Sequence, residues 1–248
     1  MNYIVGDIGN TSTKVCILND KFKIVRSFNF ETIKIFEKNF FKITLKKYLN
    51  KNLNSNLLFS SVVPKAFKEI KKILKSKKFK LLEIKDFDLG KVIKINIKNK
   101  KQLGSDRIAN AIGAKQFKNC LILDFGTATT FDVIKNGVYE GGVIAPGVKL
   151  SIINLNKSTA LLPIINLKKD QKNYGKTTKE ALNAGFVWGY EGLINNIINK
   201  ITSKNKTKYK IVLTGGYANF FKKMIKKNVT VDQDITIKGI ANVYKELI

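Results

Sequence analysis

Short apolar runs, each bounded by glycine, proline or a polar cluster, recur along the chain and alternate with stretches of helical period. Asn2 to Val25 reads as strand, turn, strand around a polar loop that contains a glycine. Leu57 to Val63 is a further strand-like run that stops at Pro64, as a strand leaving a sheet does. From Lys65 to Lys75, Phe67, Ile70 and Leu74 recur at helical spacing with lysines between them. Leu81–Ile84 and Val92–Ile97 read as short strands and Arg107–Gln116 as an alanine-rich helix. After Cys120 the pattern restarts. Leu121–Leu123 and Thr129–Ile134 are strands, and Lys135-Asn136-Gly137 is a hairpin signal. Beyond Pro146 the pattern predicts a helix over Thr178–Gly189 and a second carrying Leu193, Ile194, Ile197, Ile198 and Ile201 on one face. Ile211–Leu213 is a strand that ends in Thr214-Gly215-Gly216, and Ile240–Leu247 is a closing helix.

An internal repeat organises these elements. Asp7-Ile8-Gly9-Asn10-Thr11-Ser12-Thr13 aligns without gaps to Asp124-Phe125-Gly126-Thr127-Ala128-Thr129-Thr130, with Asp, Gly and the last Thr coinciding. Each copy lies between two apolar strands, which implies a duplicated fold with one loop opening each half. In such a turn consecutive N–H groups can form a nest for an anion, and Asn10, Thr11, Ser12 and Thr13 add side-chain donors. Lys14 adds a positive charge. Asp7 would repel phosphate unless it faces a Mg²⁺ bridged to it, since that ion favours one or two carboxylates with water and phosphate oxygens. The bland alternative for either loop is a polar hairpin turn.

Composition narrows the chemistry. The 248 residues are 44% apolar, enough for one large or two compact domains. The apolar run Tyr3–Val5 meets Gly6 and Asp7 far short of a signal peptide's core, and no run approaches the ~18 residues of a membrane span. A soluble, cytoplasmic protein with no membrane association is expected. Cys16 and Cys120 sit in strand-like runs and read as buried thiols. With no histidine, Ser-His triads, His bases and His metal sites are excluded. The formal net charge of +28 points to a polyanion partner if taken alone. The lysines are spread along the chain rather than gathered in a stripe, so no specific nucleic-acid surface is expected. There is no G-x-x-x-x-G-K-[ST] and no G-x-G-x-x-G, so P-loop and Rossmann readings fail.

A duplicated Asp-x-Gly loop with a late Gly-Gly turn resembles the actin, hexokinase and Hsp70 superfamily. Further segments resemble one family within it, the type III pantothenate kinases. Gly104-Ser105-Asp106-Arg107 with Asn110, Gly113 and Ala114 is similar to its G-x-D-R-x-x-N-x-x-G-A segment. Asp124-Phe125-Gly126-Thr127-Ala128 with Thr130 and Asp132 is similar to D-x-G-T-A-x-T-x-D. Gly141-Gly142-Val143-Ile144-Ala145-Pro146-Gly147 is similar to G-G-x-I-x-P-G. Ser60-Ser61-Val62-Val63-Pro64 and Ala160-Leu161-Leu162-Pro163 match further segments, all in order between residue 3 and about residue 241.

The resemblance implies an α/β fold of duplicated ribonuclease-H-like (actin-like ATPase) domains, each with a mixed sheet, and an interdomain cleft. The first domain is expected over 1–116 and the second over 117–248, with the last helix either in the second domain or crossing back to the first. It implies phosphoryl transfer from ATP to pantothenate, the entry step to coenzyme A, by a homodimer whose pantothenate site borrows from the partner subunit. It gives Asp106 as general base, and Gly104, Ser105 and Arg107 as further substrate-site residues with it. Asp7, Ile8, Gly9, Asn10, Thr11, Ser12, Thr13 and Lys14 become the ATP loop and Thr127 a further ATP contact. Asp124 becomes the ligand of a monovalent cation, K⁺ or NH₄⁺, and Asp7 the Mg²⁺ contact through phosphate. Thr178, in Gly175-Lys176-Thr177-Thr178, matches a substrate-contacting threonine, with Thr177 one register away. The family's tyrosine upstream of G-x-D-R has no counterpart in Asn96-Ile97-Lys98-Asn99, so the substrate wall is expected to be remodelled. Two alternatives remain from the sequence: another small-molecule kinase on this fold, and a non-enzymatic regulator resembling Bvg accessory factor.

Overall fold

In the computed structural model, residues 1–46, 53–74, 79–169, 173–203 and 207–248 are described. Strand β1 (Asn2–Ile8) pairs antiparallel with β2 (Ser12–Leu18), which pairs antiparallel with β3 (Ile24–Glu31). After α1 (Phe40–Lys46) comes β4 (Leu53–Ser61), parallel to β1, then α2 (Pro64–Leu74) and β5 (Lys80–Glu83), parallel to β4. Pro64 opens α2, where its missing N–H costs nothing, and Ala66, Ile70 and Leu74 form the buried stripe. The sequence-predicted end of this helix at Lys75 lies outside the described residues. A two-residue strand β6 (Lys94–Ile95) and α3 (Ser105–Gly113) follow.

The second half repeats the plan. It runs β7 (Cys120–Phe125), β8 (Ala128–Lys135), β9 (Val138–Pro146), α4 (Val148–Lys157), α5 (Thr178–Ser203), β10 (Lys210–Gly215), α6 (Ala218–Phe221), β11 (Val229–Val231) and α7 (Ile235–Leu247). The strand order β3-β2-β1-β4-β5 recurs as β9-β8-β7-β10-β11. In both orders the first hairpin is antiparallel and the later strands are parallel. The hairpin between β8 and β9 turns on Asn136 and Gly137, with φ 52° and 76°, the paired positive values of a type I′ turn.

Two compact units emerge: Met1–Gln116 with Gly137–Tyr139 and Asp234–Ile248, and Phe117–Asn136 with Glu140–Gln233. Gly137–Tyr139 fall in the first because β6 pairs there, Lys94 with Val138 and Ile95 with Tyr139. The core of the first unit includes Ile4, Ile8, Val15, Leu57, Phe59 and Ile70; that of the second includes Leu123, Phe125, Tyr190, Ile194, Ile198 and Phe221.

Several predicted elements have different extents. Thr178–Ser203 is one 26-residue helix, not two. Gly185, Gly189 and Gly192 do not break it, because a glycine costs about 1 kcal/mol in a helix while Tyr190, Ile194 and Ile198 are buried along its length. Helix α4 was not predicted. The strand expected over Val92–Ile97 is reduced to Lys94–Ile95, and Ile84 leaves β5 for a 3₁₀ turn. Helix α7 begins at Ile235, five residues before the predicted start at Ile240. Among the described residues no helix is long and apolar enough to cross a membrane.

The early start of α7 has a packing cause. α7 lies against α3 within the first unit at backbone distance. A Cβ on Gly239 would fall 1.8 Å from the Ala109 carbonyl oxygen, and one on Gly113 2.0 Å from that of Ile235. Thr236 Oγ1 donates to Asn110 Oδ1 at 2.6 Å, which satisfies a buried amide in the same seam. Gly239→Ala should therefore destabilise the protein by about 1–3 kcal/mol or more, since both clashing atoms are backbone. Thermal unfolding checks this, and a wild-type melting temperature would refute the close approach.

Candidate functional site

The loop between β1 and β2 begins at the carboxyl end of β1. Asp7 is in register with Lys14 on β2 and Ser60 on β4. Gly9 N–H donates to the Ser12 carbonyl at 3.0 Å and closes the turn, leaving Asn10, Thr11 and Ser12 exposed. Ile8 and Thr13 are fully buried, so Ile8 offers only backbone to a ligand. Thr13 Oγ1 lies 3.0 Å from Thr32 Oγ1, and Thr32 Oγ1 donates to the Gly9 carbonyl at 2.6 Å. A hydroxyl has one proton, so Thr13 must donate to Thr32. In this arrangement the Thr13 proton is directed to Thr32, inside the protein. Lys14 Nζ is 2.5 Å from Asp234 Oδ1, at the start of α7. Two residues on, burial pushes the Cys16 thiol up to about 11, against the lowering effect of Lys14.

Next to this loop, Gly104 is the N-cap of α3, and Ser105, Asp106 and Arg107 form its first turn. One short segment joins the two. Val62 N–H donates to the Ile8 carbonyl at 3.1 Å, and Ser105 Oγ donates to the Ser61 carbonyl at 2.8 Å. Beside them the Ser60 hydroxyl, buried and in register with Asp7, has no hydrogen-bond partner among the described residues. Asp7, Ser60 and Glu83 thus all sit at the carboxyl ends of parallel strands, where open α/β sheets bind ligands.

Burial raises the Asp106 carboxyl above the ordinary aspartate value of 3.8, opposed by the Arg107 N–H, the Arg107 guanidinium and the Lys85 ammonium. The Arg107 N–H donates to Asp106 Oδ1 at 2.7 Å. Burial likewise raises Glu83, opposed by the nearby Ser105 side chain and by hydrogen bonds from the backbone of Lys85 and Ser61.

In the second unit Asp124 is in register with Thr130 on β8 and Thr214 on β10. Gly126 N–H donates to the Ala128 carbonyl at 3.1 Å, with Thr127 half-buried at the tip. The Thr214-Gly215-Gly216 turn lies directly against this loop: Gly216 N–H donates to the Phe125 carbonyl at 3.1 Å, and Gly215 adopts φ +83°. The registers also amend the repeat. Thr13 faces Ile8 and Thr129 faces Phe125, so Thr13 corresponds to Thr129 rather than to Thr130, and the first loop is one residue longer. At the start of α5, Thr177 Oγ1 accepts from Glu180 N–H at 3.3 Å, and Glu180 Oε2 accepts from the N–H groups of Lys176 (2.9 Å) and Thr177 (3.1 Å). These bonds form a capping box and hold the Glu180 carboxyl below its usual range. Thr177 is the cap, while Thr178 is the exposed first residue of the helix.

A family model for type III pantothenate kinase matches residues 3–200. The chain belongs to the type III pantothenate kinases. It is 50% identical over 225 residues to such a kinase from Pelagibacter ubique, covering 90% of each chain. It is 36% identical over 231 residues to one from a Sulfurihydrogenibium species, covering 88% of this chain and 90% of the relative. A solved structure from Campylobacter jejuni, assigned to the Baf family of transcriptional activators, superimposes with a TM-score of 0.64 at 20% identity, covering 98% of both chains. That likeness concerns the fold alone.

Motif spacing does not reveal three residues of the first unit around this family's segments. Lys85 Nζ donates to the Lys101 and Leu103 carbonyls at 3.0 and 2.9 Å, holding the chain that enters Gly104. Glu83 accepts from Lys85 N–H at 2.5 Å and from Ser61 N–H at 3.4 Å. Thr32 holds the first loop. Only a raised density of polar residues next to a strand end could have flagged them. Because the Lys85 charge opposes the burial that raises Asp106, Lys85→Met should raise it further. If Asp106 must be ionised for turnover, the acid limb of the pH profile of kcat/KM should move to higher pH. An unmoved limb in a folded variant would separate Lys85 from Asp106.

Proposed function

We propose that this kinase transfers the γ-phosphoryl group of ATP to the primary hydroxyl of pantothenate, giving ADP and 4′-phosphopantothenate, the entry step to coenzyme A. The observation that carries the reading is the Gly104-Ser105-Asp106-Arg107 segment at the start of α3, within a chain that matches the family over residues 3–200. As the hydroxyl oxygen attacks phosphorus, its proton passes to the Asp106 carboxylate, and the bond to the β,γ-bridging oxygen breaks to release ADP. Arg107 pairs with the pantothenate carboxylate, for which a guanidinium fork is suited. Asn10, Thr11 and Ser12, exposed at the loop tip, and Lys14 bind the phosphates; Thr127 is a further ATP contact, and Thr178 with Gly104 and Ser105 contacts substrate.

The donor sets fit hard cations. Asp7 has the orphaned Ser60 hydroxyl beside it, and Asp124 is flanked by Thr130 and Thr214, so every candidate ligand is oxygen. Mg²⁺ bound with ATP near Asp7 would neutralise phosphate charge, and Asp124 would hold K⁺ or NH₄⁺. A homodimer is supported by apolar side chains exposed on the second unit, Ile144, Leu161, Ile164 and Trp188 among them. The reading as a regulator rests on the Campylobacter neighbour and the +28 charge; Asp106 and Arg107 in place at a helix start weigh against it.

A coupled assay of ADP release tests the proposal. ADP release with pantothenate is expected, and Asp106→Asn should lower kcat by about 10²- to 10⁴-fold with little change in melting temperature. Release with another alcohol and none with pantothenate would point to a different substrate. For Asp124, rates should rise when potassium or ammonium replaces sodium, and equal rates in the three salts would refute its cation role.

A further inference from the structure

We propose that Thr32 is a positioning residue that sets the conformation of the 7–14 loop for ATP. The inference rests on reading that loop as the phosphate-binding loop. Thr32 is the first residue after β3, and it is 3% exposed. Its N–H donates to the Thr11 carbonyl at 3.0 Å, its hydroxyl donates to the Gly9 carbonyl at 2.6 Å, and the same oxygen accepts from the buried Thr13 hydroxyl. One residue therefore holds two carbonyls at the tip and the side chain where the loop returns to β2. In a trans peptide the C=O and the following N–H point opposite ways, and no peptide among the described residues is cis. Fixing the Gly9 and Thr11 carbonyls toward Thr32 therefore turns the N–H groups of Asn10 and Ser12 away from it. The direction of two loop donors is thus set from outside the loop, by a residue that need not touch ATP.

The second copy has the same joint made differently. The residue after β9 is Gly147, and a Cβ there would lie 2.0 Å from the Thr127 carbonyl oxygen and 2.7 Å from that of Gly126. In that copy the backbone after the third strand supports the shorter loop by direct contact. The longer first loop is held by the Thr32 N–H and, at the Gly9 carbonyl, by the Thr32 hydroxyl.

The test uses the full chain with Thr32→Val, Thr32→Ser and Thr13→Val. It measures the Kd of Mg-ATP by calorimetry, the KM for ATP and for pantothenate, and the melting temperature. Thr32→Val removes both hydroxyl bonds and keeps the N–H bond, so ATP binding should weaken about tenfold, with the pantothenate KM unchanged. Thr32→Ser keeps the hydroxyl and should stay within about twofold of wild type. Thr13→Val, which loses one bond, should fall between them, and it carries the test if Thr32→Val does not fold. Overturning results are a lower melting temperature with wild-type ATP affinity, a serine variant as impaired as the valine one, or both KM values rising together. A wild-type chain that binds Mg-ATP but leaves pantothenate unphosphorylated would refute the proposed reaction while the ATP affinities still decide Thr32. A wild-type chain that does not bind Mg-ATP would overturn both.

Discussion

Two helices from distant parts of the chain touch through their backbones in the first unit, and the candidate site depends on that contact. Gly113 and Gly239 let α3 and α7 approach until carbonyl oxygens occupy the space a methyl group would need. Close packing of this kind gains dispersion contacts over the whole seam and tolerates little displacement. It matters to the site because α3 begins with Ser105, Asp106 and Arg107, and because α7 follows Asp234, whose carboxylate pairs with Lys14. The last helix therefore acts on the Gly104–Arg107 segment and on the 7–14 loop at once. Asn110 and Gly113, which read as motif letters, are with Ala109 among the residues of α3 that receive it.

The duplication is exact in strand order and inexact in the loops. Both units use the order third, second, first, fourth, fifth strand, which brings an Asp at the end of the first strand beside a hydroxyl residue on the fourth, Ser60 in one unit and Thr214 in the other. The copies diverge where each loop is held. The first is one residue longer and is hydrogen-bonded by Thr32, while the second is packed by Gly147. The two loops thus keep the carboxylate and differ in the donors they offer.

Local electrostatics in the first unit follow position rather than the overall positive charge. Asp106 is raised by burial although lysines dominate the surface, because desolvation acts at the carboxyl itself while exposed charges are screened. Lys85 matters through its reach to Asp106 and to the carbonyls of Lys101 and Leu103. The same balance raises Glu83, whose carboxylate accepts from the backbone N–H groups of Ser61 and Lys85.

The sequence by itself determined the family, the two Asp-x-Gly loops, the helix start at Gly104–Arg107 and most strands. These are written in local signals: β-branched runs, glycines at turns, and a motif set in fixed order. It aligned Thr13 to Thr130, because spacing does not say where a loop gains a residue. It divided α5 at Gly189, because propensity counts the glycine and not the burial of Ile194 and Ile198. Thr32, Glu83 and Lys85 carry no motif, and their roles exist only once β3 lies beside β2 and β5 beside β4. The physical reason is common to all of them. A hydrogen bond or a glycine contact between residues far apart in sequence leaves no period and no spacing in the chain, so only the tertiary structure could decide it.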